Sequence, residues 1–307
     1  MVARELYLQS SYFFIGETLV KREEADFLVF GVPYDSTASY RSGARLGPQS
    51  VREASQNIET YSPRSGVDVE DVPISDIGDV SVVHGDPETS LKRVGLVVEG
   101  IVTEGKIPVM IGGEHSITFP ATLNIGKNKE REGAVEGDFM VVVFDGHGDL
   151  REGYLGERFS HASVSRRIVE DLGAENLLQI GVRATSKEER EFAQTNKVAQ
   201  ITSLEVLKNG IKQVLSRVND LTSTFEKIYI SIDMDVFDPA FAPGVGNPEP
   251  EGLSPTTVFD IIWGLESKIC GIDVVELCPP FDPTGITAVL AAKTLFELIS
   301  KAHTQSL

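Results

Sequence analysis

Residues 141–150 read VVVFDGHGDL. An apolar run comes to its end and hands over to Asp145, His147 and Asp149, set at every second position. Alternate side chains of an extended backbone share one face, so these three converge if the extension persists. Two carboxylates that close together are costly unless a cation or a proton sits between them. The run before them is too apolar for a sheet with one wet face, and it predicts a strand of a mainly parallel sheet covered on both sides.

Working outward, short apolar runs at 26–31, 72–77, 107–111, 139–144, 177–181, 198–201, 227–232 and 270–276 read as strands. Helical periodicity lies between most of them, at 87–105, 161–171, 186–194, 203–218, 255–268 and 285–303. Strand–helix alternation of this kind predicts a parallel sheet between helical layers. The polar stretch GKNKEREGAVEGD (126–138) reads as an exposed loop. No repeat, low-complexity tract or Ser/Gly linker interrupts the chain, so a single domain spanning 1–307 is expected.

The bulk composition excludes several classes. The 307 residues are 41% hydrophobic and 24% charged, as expected of a globular protein with a full core. Lys and Arg total 28 against 46 Asp and Glu, a formal net charge of −18, which argues against nucleic acid as a partner. Two cysteines, Cys270 and Cys278, are too few for a disulfide framework. The N-terminal MVARELYLQSSYFF lacks a signal-like apolar stretch, and no run is long enough to span a membrane. A cytoplasmic protein is the expectation.

In open α/β sheets, ligands bind beyond the carboxyl ends of the strands. IPVMI is followed by GGEHS, with His115, and FMVVVF by DGHGD. KIYISI is followed by DMD, with Asp233 and Asp235, and CGIDVV by ELCPP, with Glu276. Taken singly, each signal is weak: a D-x-D is common in loops and caps, and a His after Gly-Gly is usually a turn residue. Their agreement at one sheet edge carries the argument. Four aspartates bring four negative charges, which one divalent cation cannot neutralise and two can. His115, Asp145, His147, Asp149, Asp233 and Asp235 offer imidazole and carboxylate donors with no thiolate, a set suited to Mn²⁺ or Mg²⁺ and tolerant of Fe²⁺, Co²⁺ or Ni²⁺. Two such ions about 3.5–4 Å apart lower the pKa of a shared water. Counting hydroxide, the cluster keeps one negative charge, which suits a guanidinium and not a phosphate. The chain has no G-x-x-x-x-G-K-[ST], G-x-S-x-G or H-E-x-x-H, and prolines in GVGNPEP (244–250) speak against a nucleotide loop. Cys278 reads as a small packed residue.

IGGEHS (111–116), DGHGD (145–149), SIDMDVFDPAFAPGVGNPEPEGLS (231–254) and VVELCPPFDPTGITAVLAAK (274–293) resemble the ureohydrolase family of arginases and agmatinases. The resemblance runs from about Pro33 to the C-terminal helix, in order. It implies a three-layer α/β/α fold with a mainly parallel eight-stranded sheet. It implies two Mn²⁺ held by the six residues above, His161 of FSHAS as a proton shuttle near the substrate, and Glu276 as the carboxylate that holds the guanidinium. Asp149 would relay a proton to the leaving amine. Homo-trimers or homo-hexamers are implied as well.

The chain also departs from the family pattern. Gly146 and Gly148 stand where Ala and a larger residue are common; on an extended strand both point away from the ligand face, so ligation is expected to be untouched. The arginase branch reads its amino acid with an Asn where this chain has Arg151, and with an Asp where Ser186 stands. The expected substrate is therefore agmatine, cleaved to urea and putrescine, a step toward polyamines. Arginine, guanidinobutyrate and aminopropylagmatine are the alternatives, decided by the loops at 151–160 and 184–190. A catalytically silent metal-binding protein on the same fold is the remaining one.

Overall fold

The computed structural model describes residues 8–9, 13–16, 19–126 and 139–306. In chain order the strands are β1 (Leu8–Gln9), β2 (Phe27–Gly31), β3 (Tyr61–Ser62), β4 (Val67–Asp68), β5 (Ile74–Val80), β6 (Ile107–Ile111), β7 (Phe139–Phe144), β8 (Leu177–Val182), β9 (Ala199–Thr202), β10 (Lys227–Asp233) and β11 (Lys268–Val275). The helices are α1 (Gly47–Ser55), α2 (Pro87–Thr103), α3 (Thr118–Gly126), α4 (Val164–Leu172), α5 (Lys187–Asn196), α6 (Ser203–Asn209), α7 (Ile211–Thr222), α8 (Pro255–Gly264) and α9 (Ile286–Thr304). The main sheet runs β1-β5-β2-β6-β11-β10-β7-β8-β9, with β3 and β4 paired apart as a small hairpin. Eight strands are mutually parallel, as expected, and only β1 pairs antiparallel, at one edge.

Strand β7 shows why its sequence lacks a polar face. Met140, Val142 and Phe144 pack into one core with Val51 of α1, Val206 of α6, Val218 of α7, Ile262 of α8 and Leu295 of α9. Phe139, Val141 and Val143 pack into a second core with Val98 of α2, Ala121 of α3, Ile168 of α4 and Ala193 of α5. Each face of the strand is dry, so alternation is between two cores rather than between core and water.

Local chemistry sets the helix ends. Asp86 and Ser254 accept backbone N–H groups at the starts of α2 and α8, and each of those helices has Pro as its first residue. Ser186 with Glu189 opens α5, and Thr202 with Glu205 opens α6, both as reciprocal capping boxes. The helix expected at 203–218 is in fact two. Gly210 adopts φ 75° and ψ 156°, ends α6 and starts α7, and a residue in that conformation, open to Gly, cannot continue an α-helix. Helices α1 and α3 are not among the helices expected from periodicity. Helix α1 starts on Gly47-Pro48, and Pro is at home in a first helical turn. Of the loop expected at 126–138, Gly126 closes α3, and 127–138 lie outside the described residues. No described helix is long and apolar enough to cross a membrane.

The topology places the site. Strands β6 and β7 are successive in the chain but separated in the sheet by β11 and β10, and such reversals open a crevice at the carboxyl edge. Ile111 pairs with Val274, Val274 with Ile232, and Ile232 with Phe144. One register row therefore ends four central strands level with one another.

Candidate metal centre and active-site cleft

Beyond that row, β6 leads to His115, β7 to Asp145, His147 and Asp149, β10 to Asp233 and Asp235, and β11 to Glu276. The first of these loops is tight because the backbone at Gly113 lies against Tyr34: a Cβ on Gly113 would fall within 1.9 Å of the Tyr34 carbonyl oxygen.

Three aspartates each tie one oxygen to the backbone. Asp145 Oδ1 accepts the His147 N–H at 2.6 Å, Asp233 Oδ1 that of Asp235 at 2.8 Å, and Asp235 Oδ1 that of Gly146 at 2.9 Å. Their other oxygens turn inward. Oδ2 of Asp145, Asp233 and Asp149 lies 3.2, 3.2 and 3.4 Å from His115 Nδ1. Asp235 Oδ2 lies 2.8 Å from His147 Nδ1. Two donor groups result, His115–Asp145–Asp233 and Asp145–His147–Asp235, each with ligand atoms within 4.8 Å of one another and both using Asp145. Asp149 joins the first group through its approach to His115.

The donor set fits metal ions on an observation independent of charge counting. Ser231 gives its only hydroxyl proton to Asp273 Oδ1 at 2.6 Å, so toward His115 Nε2, 3.0 Å away, it can only accept. That places the proton on Nε2 and turns the Nδ1 lone pair toward three carboxylate oxygens. Nδ1 of His115 and Oδ2 of Asp145 are both buried without a hydrogen-bond partner. Buried acceptors facing one another demand a cation or a proton between them, and a site of this donor set suits a metal ion. Asp273, which Tyr229 and Thr118 also hold, was not among the residues singled out in the sequence; outer partners of this kind orient metal-ligating histidines.

Titration behaviour tells the same story. Burial and then the charges of Asp149 and Asp235 push Asp145 up to about 7. Asp233 is raised for the same reasons, by burial and by Asp235. For His147, burial acts downward, but Asp235 overcomes it and drives the imidazole up to about 11. Protons are thus held where cations would otherwise sit, and metal binding must displace them.

The extension that begins at Asp145 does not persist. His147 still bridges to Ala184, but Asp149 has φ 49°. Convergence of Asp149 is achieved by a left-handed backbone turn, not by strand alternation. Glu276 also has positive φ, 64°. Such conformations cost about 1–3 kcal/mol for non-glycine residues and are kept where the surroundings impose them, often at functional sites.

A second expectation also needs correction. A Cβ on Gly146 would lie 2.7 Å from an Arg183 guanidinium nitrogen and 3.0 Å from Asp235 Oδ1. Gly146 therefore faces the ligand shell through Arg183, which donates to the backbone oxygens of Asp235, Glu249 and Pro250 and ties those loops together.

The cluster opens into a cleft of about 330 Å³ whose walls include His147, Asp149, Asp233, Asp235, His161 and Glu276. Glu276 is not occupied with the Pro279–Pro280 turn; its Oε1 accepts the His115 N–H at 2.8 Å. Burial and then the charge of Glu114 raise its carboxyl to about 8, so an approaching cation would stabilise its ionised form. Burial lowers the His161 imidazole. Arg151 and Ser186 both reach the cleft wall, as the departures from the arginase pattern suggested. The Arg151 charge is answered by Glu189 at 3.8 Å, and its guanidinium lies 4.8 Å from the Tyr154 ring centroid. Ser39, Tyr154, Asn247 and Glu249 from irregular loops and Glu189 from the first turn of α5 also line the cleft; none of them carries a motif that marks it singly in the sequence. Cys278 is buried, its thiol pushed up to about 12 by that burial, as suits a packed residue.

The chain is similar to known proteins along most of its length. The arginase family model matches residues 25–300. An agmatinase of Bacillus subtilis is 35% identical over 280 residues, covering 90% of this chain and 92% of its own. An N(1)-aminopropylagmatine ureohydrolase of Thermococcus kodakarensis is 37% identical over 286 residues, covering 91% of each. Among solved structures, the agmatine ureohydrolase of Thermoplasma volcanium superposes with a TM-score of 0.87 at 39% identity, over 96% of both chains.

Proposed function

The chain belongs to the arginase family of ureohydrolases, and on that premise we propose that it hydrolyses agmatine to putrescine and urea with two Mn²⁺. The observation that carries this reading is Glu276: a buried carboxylate fixed by the N–H of a metal-ligand histidine and standing in the same cleft as the ligand cluster. His115, Asp145, His147, Asp149, Asp233 and Asp235 would hold the ions; hard oxygen and imidazole donors without thiolate suit Mn²⁺. When bound, the ions supply the Lewis acidity that makes water a nucleophile at neutral pH.

The protein's own groups do the rest. Glu276 pairs with the guanidinium through parallel N–H···O contacts and fixes the carbon for attack. Water adds to that carbon, and the bond from it to the alkyl nitrogen breaks. That nitrogen must leave as a neutral amine, so a proton has to reach it. Asp149, in the ligand cluster and on the cleft wall, hands it over, and His161, on the same wall, exchanges protons with solvent.

Support for agmatine over amino-acid substrates comes from the outer cleft. Neither arginase-branch reader of an amino acid is present at Arg151 and Ser186. The Glu249 carboxylate bonds no described side chain and is available to a distal ammonium. The Thermococcus relative keeps aminopropylagmatine as a second reading. Incubation of the Mn²⁺-loaded protein with agmatine tests the proposal: urea and putrescine should appear one for one, and putrescine without urea would reject it.

A further inference from the structure

Three groups outside the ligand set form a chain behind His161. Glu114 is buried beside the cluster, and its carboxylate receives three bonds: the Thr37 N–H on Oε2 at 2.7 Å, the Thr37 hydroxyl on Oε1 at 2.6 Å, and the Ser116 hydroxyl on Oε1 at 2.7 Å. The Thr37 hydroxyl oxygen in turn accepts the backbone N–H of His161 at 3.0 Å and lies 3.2 Å from its Nδ1. A hydroxyl has one proton and two lone pairs. With the proton given to Glu114 and one lone pair taken by the His161 N–H, only an acceptor site is left for Nδ1. Nδ1 must then carry the proton. Ser160 Oγ, 3.4 Å from the same nitrogen, accepts the Ala162 N–H and is compatible with that direction. The lone pair falls on Nε2, 3.2 Å from Ser39 Oγ, which lines the cleft with His161. The Tyr154 ring stands edge-on to the imidazole at 6.2 Å and limits its swing.

We propose that Glu114, acting through the Thr37 hydroxyl, fixes both the orientation and the tautomer of His161 and thereby presents Nε2 to the cleft as the proton acceptor. The inference rests on the proposed role of His161 in proton exchange. Thr37 and Glu114 are positioning residues: they touch His161 and its anchor, not the substrate. The arrangement extends the logic of His115, whose proton is likewise placed by a hydroxyl already committed to a buried carboxylate.

The test has two arms. In protein labelled with ¹⁵N-histidine and loaded with diamagnetic Mg²⁺, the His161 signals, assigned by their loss in His161→Ala, should show Nδ1–H. Thr37→Val should convert them to a mixture of tautomers, and Thr37→Ser should keep Nδ1–H. In parallel, with Mn²⁺ and agmatine, Thr37→Val should lose at least about tenfold in kcat with metal content and KM little changed, and Thr37→Ser should recover most of it. An Nε2–H tautomer in the unmodified protein, or a tautomer unaffected by Thr37→Val, overturns the inference. So does a Thr37→Val variant with normal kcat. If the unmodified protein releases no urea, the proposed function fails, and the tautomer arm, which needs no substrate, still decides this inference.

Discussion

The carboxylate of Glu276 accepts the backbone N–H of His115 at 2.8 Å. The residue assigned to the substrate is therefore locked in place by the main chain of a residue assigned to the metal. Glu276→Gln retains shape and an acceptor for that N–H but loses the charge facing the guanidinium. Metal content should stay intact while agmatine turnover falls about 100-fold, since small misplacements of a reacting carbon cost that much. Metal analysis beside urea-release kinetics checks this, and near-normal turnover would remove Glu276 from the site.

The two donor groups share Asp145 but not Asp235. Asp145→Asn should consequently weaken both metal positions, and Asp235→Asn mainly the one that includes His147. Elemental analysis after dialysis should find less metal in the first variant than in the second, with Asp235→Asn retaining about one ion per chain. Equal loss from both would mean that the two groups are not separate positions.

Ser231 touches no proposed substrate and is not a ligand, yet it places the His115 proton on Nε2. Ser231→Ala should reduce metal affinity about 10–100-fold, the usual scale for the outer partners of ligating histidines. Competition with a fluorescent chelator measures it. Unchanged affinity would mean that His115 does not depend on this network.

The sequence carried the sheet well because its evidence is local. Apolar runs such as FMVVVF mark strands by themselves, and the residues after them mark the strand ends. What it could not carry depends on φ or on distant partners. The left-handed turns at Asp149 and Glu276 have no sequence signature of the kind Gly provides. Asp273 sits inside the apolar run CGIDVV, where only the approach of Ser231, Thr118 and Tyr229 explains a buried carboxylate. Thr37 lies in an irregular loop, and its tie to His161 spans 124 positions of the chain. The break at Gly210 was readable in principle, since Gly readily takes the positive φ that interrupts a helix, but helical periodicity on both sides hid it.

His161→Ala should keep both metals, because His161 belongs to neither donor group. Its turnover should fall by about 10²–10⁴-fold, the range for a lost acid–base group, and added imidazole should restore part of it. A variant that loses metal along with activity would show that His161 had been placed in the wrong role.

The central claim is that this cleft hydrolyses a guanidino substrate ending in an ammonium. The most direct measurement is urea release by the Mn²⁺-loaded protein from agmatine, arginine, guanidinobutyrate and aminopropylagmatine under one set of conditions. The account predicts that agmatine has the highest kcat/KM, at least about tenfold above arginine and guanidinobutyrate, because the cleft lacks the Asn and Asp with which the arginase branch reads its amino acid and offers Glu249 to a cation. Faster turnover of arginine or guanidinobutyrate, or no urea from any of the four, would contradict it.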